Sequence, residues 1–133
     1  MTKKFDAAGL LLKFGQSVLL GRRSSICANL SGYWSMPCGM TEEAENPIDT
    51  AKREFFEETG SVAEGDVKFL NSFPMDNGGE FTLFFVESSS LVFPSSKALD
   101  AIEHEEWGYF RISKESLPYP ITKETKKSIL MLK

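Results

Sequence analysis

Residues 39–60 read Gly39-Met40-Thr41-Glu42-Glu43-Ala44-Glu45-Asn46-Pro47-Ile48-Asp49-Thr50-Ala51-Lys52-Arg53-Glu54-Phe55-Phe56-Glu57-Glu58-Thr59-Gly60. Within this run Glu54, Glu57 and Glu58 stand at spacings i, i+3 and i+4, which puts three carboxylates on one face of a helix. Acids gathered in this way repel one another. A divalent cation removes the repulsion, and hard carboxylate oxygens suit magnesium or manganese. The run therefore reads as a metal site built on a helix, and such a site points to chemistry on phosphates.

The flanking residues say where the helix begins and ends. Asn46 is a favoured N-cap residue, and Pro47 at the first helical position forfeits no intrahelical bond. Asp49 meets the positive end of the helix dipole. Gly60 is the residue expected at a C-terminal stop. Ile48, Ala51 and Phe55 recur at helical spacing and are expected to face a core. Arg53 precedes Glu57 by one turn and is placed to hold its carboxylate by a charge-assisted hydrogen bond.

Upstream, Gly32-Tyr33-Trp34-Ser35-Met36-Pro37-Cys38-Gly39 is rich in turn and breaker residues and leads into a loop carrying Glu42, Glu43 and Glu45. The whole pattern, Gly39-x5-Glu45-x7-Arg53-Glu54-Phe55-x-Glu57-Glu58-x-Gly60, resembles the Nudix box, the signature of the Nudix hydrolases. Ser61 stands where the family usually has an apolar residue, and Cys38 where it usually has a second glycine. "SVLLGRRS", "GYWSMPCGM" and "EHEEWGYFRISKESLP" extend the resemblance over most of the chain. It implies an α/β fold, a Nudix-type α/β/α sandwich with a mixed central sheet, with residues 1–133 as a single domain.

The resemblance also implies roles. Glu54, Glu57 and Glu58, with the backbone carbonyl of Cys38, match the metal ligands. The ion is Mg²⁺, with Mn²⁺ as its substitute. Arg53 and Glu45 match supports for the acids and the loop. The implied reaction is hydrolysis of a diphosphate linkage in a nucleoside diphosphate derivative, with a nucleoside triphosphate, intact or damaged, as the preferred substrate. Alternatives are a nucleotide sugar or ADP-ribose, an RNA 5′ end, or a non-catalytic nucleotide-binding module. A general base in this family is a box glutamate or an acid in a later loop. Glu103 is the candidate for the latter, with Glu105 and Glu106 as competitors.

Composition sets the outer limits. A chain of 133 residues with 41% hydrophobic and 26% charged residues has the material for one globular core. No apolar stretch approaches the length of a membrane span, and "AAGLLLKF" reads as a strand rather than a signal peptide. Cys27 and Cys38 form neither a disulfide framework nor a zinc spacing, so a cytoplasmic location is the default. The net charge of −4 argues against a nucleic-acid partner and is compatible with a small nucleotide only if metal and local cations offset the acids. Arg22 and Arg23, at the end of "SVLLGRR", are the candidate phosphate-binding residues. A homodimer is left open.

Along the chain, strands are expected at 5–13, 17–22, 67–74, 80–87 and in "WGYFRI". A loop is expected over 24–35, a helix at 47–59, a turn at Asn77-Gly78-Gly79 and a C-terminal helix in "ITKETKKSILMLK". Trp34 is expected to pack. Phe73, Asp76 and Asn77 are candidates for contact with a base at a pocket rim. The lone His104 is expected to be structural or exposed, and nothing near Cys38 in sequence suggests a nucleophile.

Overall fold

The computed structural model describes residues 5–25 and 30–133. The elements are β1 (Ala7–Phe14), β2 (Ser17–Arg23), β3 (Trp34–Ser35), β4 (Cys38–Met40), α1 (Pro47–Thr59), β5 (Lys68–Pro74), β6 (Glu80–Glu87), β7 (His104–Arg111) and α2 (Lys123–Leu130). Single 3₁₀ turns occur at Ala101–Glu103 and Lys114–Ser116. Cys27 and most of the turn after β2 lie outside the described residues.

The strands form one sheet in the order β3-β2-β1-β6-β5, with β4 added to β1 and β7 to β2. β1 and β6 run parallel and the other pairs antiparallel, so the sheet is mixed. The sequence of β1 explains its central place. Its run Ala-Ala-Gly-Leu-Leu-Leu has no polar side to offer water, and a strand buried on both faces needs none. Alternate residues go to opposite cores. Ala8, Leu10 and Leu12 pack with Leu19, Val86 and the α1 residues Ala51 and Phe55. Leu11 packs with Val18, Leu20, Met36, Leu83 and Ile129 of α2. One helix therefore covers each face, which gives the α/β/α sandwich. Phe55, fully buried, contributes about 2–3 kcal/mol to the first core by removal of apolar surface from water.

α1 starts and stops at the positions its sequence announces. Gly60 adopts the left-handed conformation (φ 80°), and its N–H donates to Phe56 O at 2.8 Å. Asn46 occupies the N-cap, but its side chain makes no capping bond. Its carbonyl instead accepts from the N–H groups of Asp49 and Thr50. The hairpin between β5 and β6 turns at Asn77-Gly78-Gly79, with Gly78 at φ 87° and Asn77 Oδ1 accepting from the Gly79 N–H.

Three expectations need adjustment. The first strand begins two residues later than expected, at Ala7. The stretch read as a loop over 24–35 ends in β3, a two-residue strand held by pairing with Gly21 and Arg22. The strand expected at "WGYFRI" begins at His104, because β2 supplies partners for His104 and Glu106, with Glu105 bulged between them. Among the described residues no helix is long and apolar enough to cross a membrane.

Candidate active site

α1 presents its acids toward β4 and the turn before β7. Glu54 is seated against Gly39. A Cβ on Gly39 would collide with the Glu54 carboxylate, so a glycine here is a steric requirement of the site. Downstream, the Asp100 N–H donates to Glu57 O at 2.7 Å and ties the following segment to α1. Carboxylate oxygens of Glu54, Glu57 and Asp100 all lie within 4.8 Å of one another. Asp100 was not singled out from the sequence. The only local hint was the acid-rich run that ends in Glu103, Glu105 and Glu106.

Arg53 organises this cluster. Its Nε donates to Glu45 Oε2 at 2.8 Å and its Nη1 to Glu54 Oε1 and Glu57 Oε2, each at 3.0 Å. Its Nη2 donates to the Met40 carbonyl at 2.9 Å and to Glu45 Oε1 at 3.1 Å. The guanidinium therefore fastens the helix to the loop before it and sets two acids of the cluster. The Arg53 bonds, with help from the Thr50 hydroxyl, hold the Glu45 carboxyl down at about 2.

Glu58 lies deeper. Its side chain is 4% exposed, and Oε2 has no hydrogen-bond partner among the described residues. Burial, then the charge of Glu54, raises its pKa well above the carboxylate range. Burial also raises Glu54, although Arg53 opposes the shift. His104 Nε2 lies 3.5 Å from Glu58 Oε1, and neither ring nitrogen has a hydrogen-bond partner among the described residues. Burial, reinforced by Arg23, lowers the imidazole to about 4, so the ring is neutral near pH 7. His104 is thus buried rather than exposed, and it stands beside a box glutamate.

The remaining acids separate by direction. Glu103 feels the charges of Asp100, Arg23 and Glu57, and burial is the largest cause of its raised pKa. The backbone bond from Ser24 N to Glu103 O, 2.9 Å, fixes this turn against the end of β2. Glu105 and Glu106 turn instead to Arg22, each with an oxygen 3.0 Å from it. The reason is a register shift between Arg22 and Arg23, which leaves Glu105 as an extra residue on β7. Of the two arginines, Arg22 is engaged by that acid pair, while Arg23 influences Cys38, Glu103 and His104.

Cys38 precedes Gly39 in β4, opposite Gly9 of β1. Its side chain packs on the α2-side core, and burial pushes the thiol far up. A cavity of about 620 Å³ opens between the start of α2 and the end of β5, lined by Tyr33, Phe73, Asp76, Phe81, Thr122 and Lys123 among others. Tyr33, Phe73 and Asp76 thus meet at one cavity, whereas Asn77 is spent on the hairpin turn. Trp34 packs edge-on against Phe110 with ring centroids 4.9 Å apart.

The donor set tests well against a divalent cation. The Glu54, Glu57 and Asp100 oxygens are hard and anionic, and beside this set Glu58 carries a buried carboxylate oxygen with no hydrogen-bond partner among the described residues.

A profile of the family described as NUDIX domain matches residues 3–131. The RNA pyrophosphohydrolase of Bartonella bacilliformis is 31% identical, with 76% of this chain and 72% of that protein covered. A MutT NUDIX hydrolase from Burkholderia pseudomallei superimposes with a TM-score of 0.80 at 22% identity, over 97% of this chain and 98% of that one. The NUDIX domain of Shewanella oneidensis NrtR, solved with ADP ribose, gives 0.76 at 16% identity, over 99% and 88%. At these identities the structural likeness establishes the fold.

Proposed function

The chain belongs to the NUDIX domain family and is a Nudix pyrophosphohydrolase, and from that premise we propose that it hydrolyses a phosphoanhydride bond of a nucleoside 5′-triphosphate with a divalent cation. The observation that carries the reading is the convergence of the Glu54, Glu57 and Asp100 carboxylates within 4.8 Å. Glu54, Glu57, Glu58 and the Cys38 carbonyl are the proposed ligands of Mg²⁺, with Mn²⁺ as its substitute, and Asp100 joins them. A bound cation supplies charge neutralisation for the phosphate oxygens and acidifies a nearby water.

The protein's own groups do the rest. Arg53 fixes the orientation of Glu54 and Glu57. Glu103 is the proposed general base. It stands among the cluster charges and has a raised pKa, whereas Glu105 and Glu106 are committed to Arg22. Arg23 is the proposed phosphate contact, and Arg22 stiffens the strand that carries it. Tyr33 and Phe73 are proposed to hold the base in the aromatic cavity, with Asp76 accepting from its N–H groups. Segment 33–39 links that cavity wall to Gly39 beneath Glu54.

A second reading is removal of pyrophosphate from RNA 5′ ends. The activity of the Bartonella bacilliformis relative favours it, and the net charge of −4 weighs against it. One experiment separates the two. Phosphate release is measured with Mg²⁺, coupled to inorganic pyrophosphatase for nucleoside triphosphates, oxidised nucleotides and 5′-triphosphorylated RNA, and to alkaline phosphatase for ADP-ribose and nucleotide sugars. Glu57→Gln is the blank. Turnover of free triphosphates, lost in the variant and with chelator, is expected. Turnover of RNA alone replaces the first reading with the second. Silence across the panel from folded protein overturns both.

A further inference from the structure

The pair formed by Glu58 and His104 has no part in the roles assigned above beyond the carboxylate itself. Three buried polar atoms meet there without a hydrogen-bond partner among the described residues: Glu58 Oε2, His104 Nδ1 and His104 Nε2. Buried polar groups are normally satisfied, and each exception calls for a reason. The imidazole is also closely fitted. Its ring lies 4.6 Å from the Trp107 ring, centroid to centroid. On the other side Gly21 makes the space. A Cβ there would fall 2.6 Å from His104 Cδ2 and 2.9 Å from Trp107 Cζ3. β2, β7 and α1 together therefore hold the ring with Nε2 toward Glu58 Oε1, 3.5 Å away. A movement of a few tenths of an ångström brings that distance into the hydrogen-bonding range.

We propose that His104 is a positioning residue for Glu58: its Nε2–H holds Oε1, and Oε2 is thereby turned to the divalent cation. This rests on the reading of Glu58 as a metal ligand. A ring placed for packing alone needs no nitrogen at this point, and a phenyl group would leave no unsatisfied polar atom. A carboxylate that grips an ion with one oxygen gains a fixed orientation from a donor on the other.

The test is Mn²⁺ binding to the full chain, followed by EPR, for the wild type, His104→Phe and His104→Gln. His104→Phe keeps the ring and loses the donor. It is expected to bind Mn²⁺ about 10- to 100-fold more weakly while melting in chelator no lower than the wild type. His104→Gln, which offers an N–H near the Nε2 position, is expected to recover most of the affinity. Equal affinity in wild type and His104→Phe overturns the proposal, as does an equal loss in both variants. Failure of the wild type to bind Mn²⁺ overturns the metal reading and this one with it. Should His104→Phe not fold, imidazole ¹⁵N NMR of the wild type decides, and a single histidine makes the signal unambiguous. An Nε2–H tautomer whose proton moves downfield on adding Mg²⁺ supports the proposal. An Nδ1–H tautomer with Mg²⁺ bound overturns it.

Discussion

Arg53 and Glu58 stand little more than one turn apart on α1, in opposite electrostatic conditions. Around Arg53 the carboxylates share a protein counter-charge: Glu45, Glu54 and Glu57 all accept from one guanidinium, and the Met40 carbonyl takes a further N–H. Around Glu58 the protein supplies burial without compensation, so burial and Glu54 drive its pKa up. The first region has a cation of its own. The second has chemistry that a cation would complete. Perturbing the first should therefore alter stability in any buffer, and perturbing the second should alter the response to cation.

The largest expected effect lies on the cation side. Glu58→Gln should lower turnover by about 100-fold or more, the scale seen when one preorganised charge-stabilising group is removed from a site. Its melting temperature in chelator should not fall, because a buried charge without compensation has been removed. For the wild type, saturation at a hundred times Kd should add about 2.7 kcal/mol, and the variant should lose most of this gain. Thermal melts with Mg²⁺ and with chelator check both. Near-normal turnover would remove Glu58 from the site.

On the compensated side, Arg53→Ala strands the carboxylates that it served. Breaking such a partly buried set should destabilise the fold by about 3–5 kcal/mol in chelator. Arg53→Lys should recover only part of this, since one ammonium cannot serve Glu45, Glu54, Glu57 and Met40 together. Denaturant midpoints measured in chelator give the answer. A midpoint unchanged by Arg53→Ala would make the network decorative.

The same contrast separates what the sequence disclosed from what it did not. α1 was legible to the residue at both ends, because Pro47 and Gly60 act on their own backbone. β1 was legible because an apolar run has only one comfortable place in a sandwich. β3 and β4 were not, because strands of two and three residues exist through their partners on β2 and β1. The box acids and Arg53 could be read from helical spacing. Asp100 and His104 could not, since each reaches α1 through the tertiary path of the chain, over more than 40 residues of sequence. Gly21 and Gly39 belong with them: the need for a missing Cβ is visible only once His104 and Glu54 occupy the space. The acid-binding scaffold was thus local information, and the surroundings of Glu58 were not.

Acid pH tests the comparison through opposite signs. Glu45 has its folded pKa depressed, from the ordinary 4.5 to about 2. Its contribution is present above 4.5 and disappears as the pH falls toward 2. It should amount to about 2 kcal/mol after solvent screening. Glu54 and Glu58, raised when folded, oppose folding increasingly as the pH rises past 4.5 in chelator. Acid unfolding of Glu45→Gln beside the wild type isolates the first effect. The two curves should converge toward pH 2, diverge up to about 4.5 and stay apart above it, and a difference that does not change across this window would deny Glu45 its role.

The smallest effect concerns the loop that Arg53 fastens. Ala44 has φ 63°, in the left-handed region, between Glu42 and Glu45. The bond from Glu42 N to Glu45 Oε1, 3.0 Å, holds it there. A side chain in this conformation costs about 1–2 kcal/mol. Glycine avoids that strain but gives the unfolded chain more freedom, worth about 0.4–1 kcal/mol. Ala44→Gly should therefore stabilise the protein by somewhat less than about 1 kcal/mol. The gain should be the same with Mg²⁺ and with chelator, because the loop is tied to the compensated region through Glu45 and Arg53. A gain that appears only with Mg²⁺ would move the loop to the cation side and redraw the boundary between the two regions. A loss would mean that the φ of Ala44 is relaxed by its neighbours and stores no strain.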